Sequence, residues 1–361
     1  MSLPEISRCI CGKRVESAEE FEKLRRDEIL GLFEKYVYGR RPYERPEDLS
    51  FSVTESIFCG MKHKRVTAEF GEKSFPFDIY IPFSTDKPVP VFVLSILEYR
   101  EQFCDFNVNP NPEYAPLTDI TSRGYAIAVY NVREVEPDNI DGINYGIRSG
   151  EHLSDDSWGT LSVWAWAASR ILDYIETDDE LDESRVCTIG HSRGGKTALW
   201  SAATDRRFAM AVSNDSGCAG AAVTREKRGE RIKDITDTFP YWFCRNYFKF
   251  AENEELLPVD QHMLLALIAP RPLYVASASE DEWADPASEL SACRLASEAY
   301  ALYDKPGIVP VDLDKVELNK SYADGTIAYH RHKGGHDLTK LDWRLFMDFA
   351  DRMLNVHCSE I

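Results

Sequence analysis

The 361-residue sequence contains no apolar run near the roughly 18 residues that a membrane span requires, so the expectation is a soluble protein. Basic charge is scarce. With 42 Lys and Arg against 61 Asp and Glu, the formal charge of −19 repels phosphate backbones and anionic lipid, which leaves nucleic acid and membrane surfaces as unsuitable partners. The nine cysteines include no CxxC pair, and no histidine cluster at zinc-finger spacing accompanies Cys9 and Cys11. They read as scattered reduced thiols, with disulfides to be considered only for an exported protein. The opening stretch MSLPEISRCICGKRVESAEEF lacks an apolar segment followed by a small-residue cleavage site. Either the protein is cytoplasmic, or it is secreted or periplasmic with its signal already removed. Internal repeats and low-complexity segments are absent as well.

What is present supports a sizeable core: 43% apolar and 12% aromatic residues in a length that suits one α/β domain with insertions. The expected organisation is a single domain over 1–361, with an N-terminal helical extension over 1–45 and a catalytic region over about 90–356. AEEFEKLRRDEILGLFEKYVY (18–38) has helical spacing and stops at the RRPYERP breaker. LSFSVTESIF, RVTAEF and FPFDIYIP then read as strands of an antiparallel entry, followed by the continuously apolar PVPVFVLSI. From residue 125 apolar strands (YAIAVYNV, RVCTIGH, FAMAVSND, RPLYVASA) alternate with helical stretches around DSWGTLSVWAWAASRILDYIE, GKTALWSAA and DQHMLLALIA. That alternation predicts a mostly parallel sheet with helices on both faces, a three-layer α/β/α sandwich. The acidic TDDELDES before RVCTIGH reads as a solvated loop.

Residues 190–197, GHSRGGKT, satisfy two incompatible templates. As G-x-x-x-x-G-K-T they would be a phosphate-cradling loop with Lys196 on phosphates and Thr197 on magnesium. As G-x-S-x-G they are a nucleophile elbow presenting Ser192 between strand and helix. Both templates require the strand and helix that flank the motif here, and Asp215 could even serve as a magnesium-holding acid. The elbow, however, needs an acid and then a histidine later in the chain, in that order. Asp215 ends the next strand, a second acidic cluster (Glu280, Asp281, Glu282, Asp285) follows a further one, and His336 lies on the Gly-rich loop KGGHD before the last helix. A phosphate loop explains none of this histidine context. Glycines at 190 and 194 also fit an elbow, where larger neighbours would crowd a strained turn.

With these residues in view the chain resembles the bacterial branch of the glucuronoyl esterases, carbohydrate esterases that cleave esters between lignin alcohols and 4-O-methyl-glucuronic acid on xylan. The family elbow G-C/H-S-R-x-G-K is matched by GHSRGGK, and its block E-S-G-A-G-G-A by DSGCAGA from Asp215. DQHMLLALIAPRP, the WADP turn and GGHD extend the resemblance over about residues 157–350. It implies an α/β-hydrolase that needs no metal or cofactor, acting on glucuronate-bearing xylo-oligosaccharide esters. Ser192 would be the nucleophile, His336 the general base and acid, and Arg193 an oxyanion partner through its backbone N–H and guanidinium. Lys196 and Glu230 would hydrogen-bond sugar hydroxyls, and Trp283 would make apolar contact around the 4-O-methyl side. The family often carries Glu where this chain has Asp215, so the triad acid is divided between Asp215 and Asp281, with Asp215 expected to matter at least as much because the whole NDSGCAGA block accompanies it. His262, His330 and His332 read as structural or surface residues, because no second acid–histidine arrangement is visible for them. Two rivals stand beside this reading: an acetylxylan esterase using the same triad, and a non-catalytic carbohydrate-binding relative of the hydrolases.

Overall fold

The computed structural model describes residues 3–83, 87–97, 109, 111–225, 227–309, 312 and 315–356. Nine strands form one sheet: β1 (Ser50–Phe58), β2 (Met61–Phe70), β3 (Lys73–Pro82), β4 (Val89–Ile96), β5 (Ala126–Asn131), β6 (Leu181–His191), β7 (Met210–Asn214), β8 (Leu273–Ala278) and β9 (Ile327–His332). Their order across the sheet is β1-β2-β3-β5-β4-β6-β7-β8-β9. The first three pair antiparallel and meet β5 antiparallel, whereas β4 through β9 are mutually parallel. This is the arrangement that the alternating pattern predicts. Its antiparallel entry begins at β1, an edge strand that is mostly exposed, while β4 is buried along its whole length.

Side chains alternate across the parallel strands, as a pleated ribbon requires. Val91 and Val93 of β4 join one core, and Phe92, Leu94 and Ile96 join the other. Helix α1 (Thr160–Ile175) lies wholly buried in the first core, which explains why its sequence is apolar on nearly every face. The helical stretch over residues 18–38 covers the same side and contributes Phe21, Ile29, Phe33 and Tyr38. It stops at Gly39 (φ 84), where a Cβ would stand 2.3 Å from the Ser157 carbonyl oxygen. On the opposite face α4 (Lys340–Met353) packs Trp343, Phe346, Phe349 and Ala350, its first turn closed by a Thr339–Asp342 capping box. No helix among the described residues is long and apolar enough to cross a membrane.

One connection departs from expectation. Within TDDELDES, residues Leu181–Ser184 are already part of β6, because Leu181 pairs with Val89 of β4 before the register shifts. The acids just ahead are engaged as well: Asp178 lies 2.7 Å and Glu180 2.8 Å from the buried Lys64 ammonium on β2. Acidic composition suggested a solvated loop; Thr177, Asp179, Glu183 and Ser184 are exposed as that implies, while Asp178 and Glu180 are drawn onto a cation from a distant hairpin.

For function, the decisive feature of this topology is that parallel strands point their C-terminal ends the same way. Segments leaving β6, β7, β8 and β9 therefore gather along one edge of the sheet, where open α/β folds build their sites.

Candidate active site

Four such segments carry Ser192, Asp215, Asp281 and His336, and main-chain hydrogen bonds continue past the strand ends to hold them in step. Ser192 N–H donates to Asn214 O at 2.8 Å, Asp215 N–H to Ala276 O at 2.8 Å, Ser279 N–H to His332 O at 2.9 Å, and Glu280 N–H to Gly334 O at 2.8 Å. The sheet's register thus fixes the spacing of the chemistry.

Ser192 has φ 58 and ψ −122, a conformation costly for a side chain with a Cβ and characteristic of a nucleophile at a strand-to-helix corner. It opens α2 (Arg193–Thr204), whose first N–H groups have no intrahelical partner. The corner is possible only with glycine on either side: a Cβ on Gly190 would stand 2.1 Å from the Gly194 carbonyl oxygen, and one on Gly194 2.7 Å from the Ser95 hydroxyl. The phosphate-loop reading fails on the same residues. Thr197 bonds internally to the Arg193 carbonyl, and Lys196 is buried with Nζ 2.5 Å from Ser216 O.

His336 Nδ1 lies 2.6 Å from Asp281 Oδ2. A carboxylate only accepts, so Nδ1 carries the proton and Nε2 keeps a lone pair for a hydroxyl proton. Burial opposes the charge of Asp281, but the bond and charge of His336 hold its pKa below the ordinary range. The ring centroid of His336 is 4.4 Å from that of His191, the residue preceding Ser192, so loop and elbow are in contact. His191 itself is buried, with Nδ1 2.6 Å from Asn214 Oδ1. Burial and the neighbouring His336 depress its pKa to about 3, so it stays neutral beside the Asp281–His336 pair.

Asp215 reaches the same place without making the same contact. Its donor oxygen, that of Asp281 and a ring nitrogen of His336 all lie within 4.8 Å of one another. Oδ1 accepts from Ala278 N–H at 2.6 Å, whereas Oδ2 is buried without a hydrogen-bond partner, 3.9 Å from His191 Nδ1. Burial, with Glu289 and Asp281 nearby, raises the Asp215 pKa well above its ordinary value. The two acids divided by sequence are thus brought together, with Asp281 on the direct bond. The rest of the acidic cluster has other employment: Asp285 caps α3 (Pro286–Leu302), and Glu280 and Glu282 are exposed.

Arg193 sits in a cradle that sequence reasoning misses. Its Nη1 pairs with Asp138, whose Oδ1 also accepts from Trp242 Nε1 at 2.8 Å and Tyr241 OH at 3.2 Å. Trp242 and Phe239 stack with centroids 3.7 Å apart and planes 3° from parallel. The guanidinium carbon lies beside this stacked pair, 4.6 Å from the Trp242 ring centroid and 5.0 Å from that of Phe239. The Arg193 Nε is buried without a partner, a donor left open in an otherwise fixed group. Nothing local in the sequence marks Asp138 or this aromatic pair, which lie far from the elbow in the chain.

The three residues assigned to sugar contact share one flank of the site. Trp283 is 59% exposed, which excludes the core role common for tryptophan near a strand end. Its carbonyl oxygen accepts from Glu230 N–H and from Lys227 Nζ, both at 2.9 Å. Lys196 is pushed below the usual lysine range by burial, with the charge of Glu230 the largest influence in the other direction. Among the described residues, the donor sets close enough to share a cation are Asp215–Asp281–His336 and His330–His332–Asp342. In the first, Asp281 and His336 bond each other, and in the second Asp342 accepts from both histidines, so hydrogen bonds serve where a cation would stand.

A strained serine elbow opening a helix, with an ordered acid and histidine at the C-terminal edge of a mostly parallel sheet, defines a carboxylic ester hydrolase of the α/β-hydrolase fold. The family described as glucuronyl esterase of fungi matches residues 65–304. The carbohydrate esterase MZ0003 of an unknown prokaryotic organism is 34% identical over 97% of this chain and 89% of its own length. The 4-O-methyl-glucuronoyl methylesterase 1 of Wolfiporia cocos is 31% identical over 82% of this chain and 70% of its own. The glucuronoyl esterase from Solibacter usitatus superposes with a TM-score of 0.91 at 33% identity, covering 98% of both chains. The chain belongs to the glucuronoyl esterase family.

Proposed function

We propose that this protein hydrolyses esters of 4-O-methyl-glucuronic acid borne on xylo-oligosaccharides, through an acyl-enzyme formed on Ser192. In this reading His336 Nε2 takes the Ser192 hydroxyl proton as Oγ attacks the ester carbonyl, then delivers it to the departing alcohol. Water repeats the sequence in reverse roles, with His336 as base, and releases the free uronate. Asp281 orients the imidazole and stabilises it when charged. Developing charge on the carbonyl oxygen is met by the Arg193 backbone N–H, first in its helix, and by the guanidinium. The observation that carries the proposal is the pairing of Asp281–His336 beside the elbow with a clamped arginine whose Nε is unpaired. Membership of the family supports the choice of a uronate ester. Assay of one purified sample on benzyl glucuronate, methyl glucuronate and acetylated xylose tests it; turnover confined to the acetyl ester would favour the acetylesterase reading instead.

Two further expectations follow from the cradle and the flank. Arg193→Ala should lower kcat by about 10²-fold or more, the usual cost of an oxyanion donor, with KM moving less. Asp138→Asn should give a smaller loss of the same type, because it keeps the shape but loosens the guanidinium. Equal kcat in wild type and both variants would leave the oxyanion to other donors. Lys196, with Glu230 and Trp283, is assigned to the uronate. Lys196 and Arg193 bring two cationic donors to one helix start, so the free-acid product should inhibit, and less so in Lys196→Ala. Identical inhibition constants for glucuronate would remove Lys196 from the binding site.

A further inference from the structure

Beyond the catalytic pair, β9 ends in two buried histidines, His330 and His332, which share a single acid. Sequence reading finds no acid for them, yet Asp342 of α4 supplies one. His330 Nε2 is 2.6 Å and His332 Nδ1 3.0 Å from Asp342 Oδ1, while Oδ2 accepts from Thr339 N–H at 2.7 Å and its hydroxyl at 2.8 Å. The remaining nitrogens differ in their neighbours. His330 Nδ1 faces the Tyr274 hydroxyl at 3.1 Å, which can donate, so a neutral ring is satisfied there. His332 Nε2 faces the Gly335 carbonyl oxygen at 3.2 Å, which can only accept. With a carboxylate on one nitrogen and a carbonyl on the other, His332 satisfies both contacts only as an imidazolium.

We infer that His332, held as a buried imidazolium between Asp342 and the Gly335 carbonyl, is a positioning residue that fixes the loop carrying His336. The inference rests on the reading of His336 as general base. Gly335 immediately precedes His336, and Gly334 (φ 137) precedes that, so the loop has little stiffness of its own. It is tied to the Asp281 segment by Glu280 N–H to Gly334 O at 2.8 Å and by Gly334 N–H to the Ser279 hydroxyl at 3.1 Å. His332 adds the contact to the carbonyl of Gly335 itself. Burial works against the charge on this ring, but the bond and charge of Asp342, the Gly335 carbonyl and Asp337 outweigh it and lift its pKa above the ordinary range. The titratable groups facing it are Asp342 from α4, Asp337 from the loop, and His330 on its own strand with ring centroids 6.5 Å apart. Glu280, two residues beyond the end of β8, is exposed.

The protonation state required is opposite to that of the base. His336 acts with Nε2 unprotonated. His332 must keep its proton to hold the loop, so activity falls as pH rises through its raised pKa. In protein labelled with ¹⁵N-histidine, long-range proton–nitrogen spectra at pH 7 should show both His332 ring nitrogens protonated, with a titration midpoint matching the alkaline limb of kcat/KM. His332→Asn and His332→Gln, which can bond one acceptor without titrating, should lose up to about 100-fold in kcat with little change in KM, and should lose the alkaline limb. A neutral His332 ring at pH 7, or variants that keep the wild-type kcat and alkaline limb, overturns the inference. Should both variants fail to fold, protonation and limb in the unsubstituted protein decide the matter. Activity surviving in His336→Ala would instead sink the reading of the base, leaving a different pattern from the failure of His332.

Discussion

Ser192→Ala is expected to lose ester hydrolysis by about 10³-fold or more, and His336→Ala by a similar factor, while each keeps a wild-type circular dichroism spectrum and melting behaviour. The two losses should not multiply in the double variant. Nucleophile and base act as one unit, and once either is gone the other has nothing to do. Preservation of the fold is expected because neither side chain is part of the buried core: Ser192 is half-buried and the His336 side chain is 45% exposed. Relief of the φ 58 strain is not available to alanine, so Ser192→Ala should gain no stability from the elbow. Labelling by a serine-directed fluorophosphonate should disappear with Ser192→Ala. Substantial turnover in that purified variant would rule out the acyl-enzyme.

The second large effect separates the two acids. Removing a lone orienting carboxylate from such a triad costs about 10⁴-fold, because the histidine loses its tautomer preference and the charge that stabilises its imidazolium. Asp281 holds the direct bond to His336, so Asp281→Asn should carry the greater loss, about 10²-fold or more, short of the full cost because Asp215 stands close by. Asp215→Asn should cost less than about 10-fold. Burial and its acidic neighbours favour the protonated form of its carboxyl, and asparagine is a near-isosteric substitute for a neutral acid. The neighbouring Asp281 charge is one cause of that raised pKa, so its removal should let Asp215 ionise at lower pH. Residual activity of Asp281→Asn should accordingly climb with pH as Asp215 ionises, and the double variant should lose that climb.

A carboxyl whose folded pKa lies above its unfolded value also destabilises the fold as pH rises between the two, since the native state then binds more protons. Asp215→Asn should therefore raise the melting temperature at neutral pH. The measurement is kcat/KM against pH on a glucuronate ester for both single variants and the double. If Asp215→Asn proves as damaging as Asp281→Asn across the profile, Asp215 is a working acid and its unpartnered oxygen reaches His336 during turnover.

Much of this was legible in the sequence because it depends on local chemistry. Strand and helix alternation follows from apolar periodicity, and both cores sit where that periodicity places them. The elbow needs only five consecutive residues, with glycines at 190 and 194 where a Cβ would collide. Chain order alone gives serine, acid and histidine. What the sequence left open was settled by contacts between residues remote in the chain. Four acids crowd residues 280–285, and nothing in their identity says which one faces a histidine 55 positions later. The curl of the segment leaving β8 turns Asp281 inward, Asp285 onto a helix end, and Glu280 and Glu282 to solvent. Asp138 meets Arg193, and Asp342 collects His330 and His332, only because strand ends and helix starts from separate parts of the chain converge at one edge of the sheet. Period and spacing encode which face of an element is buried; hydrogen bonding between single side chains at long separation has no period. That part of the site exists only once the sheet has set the distances.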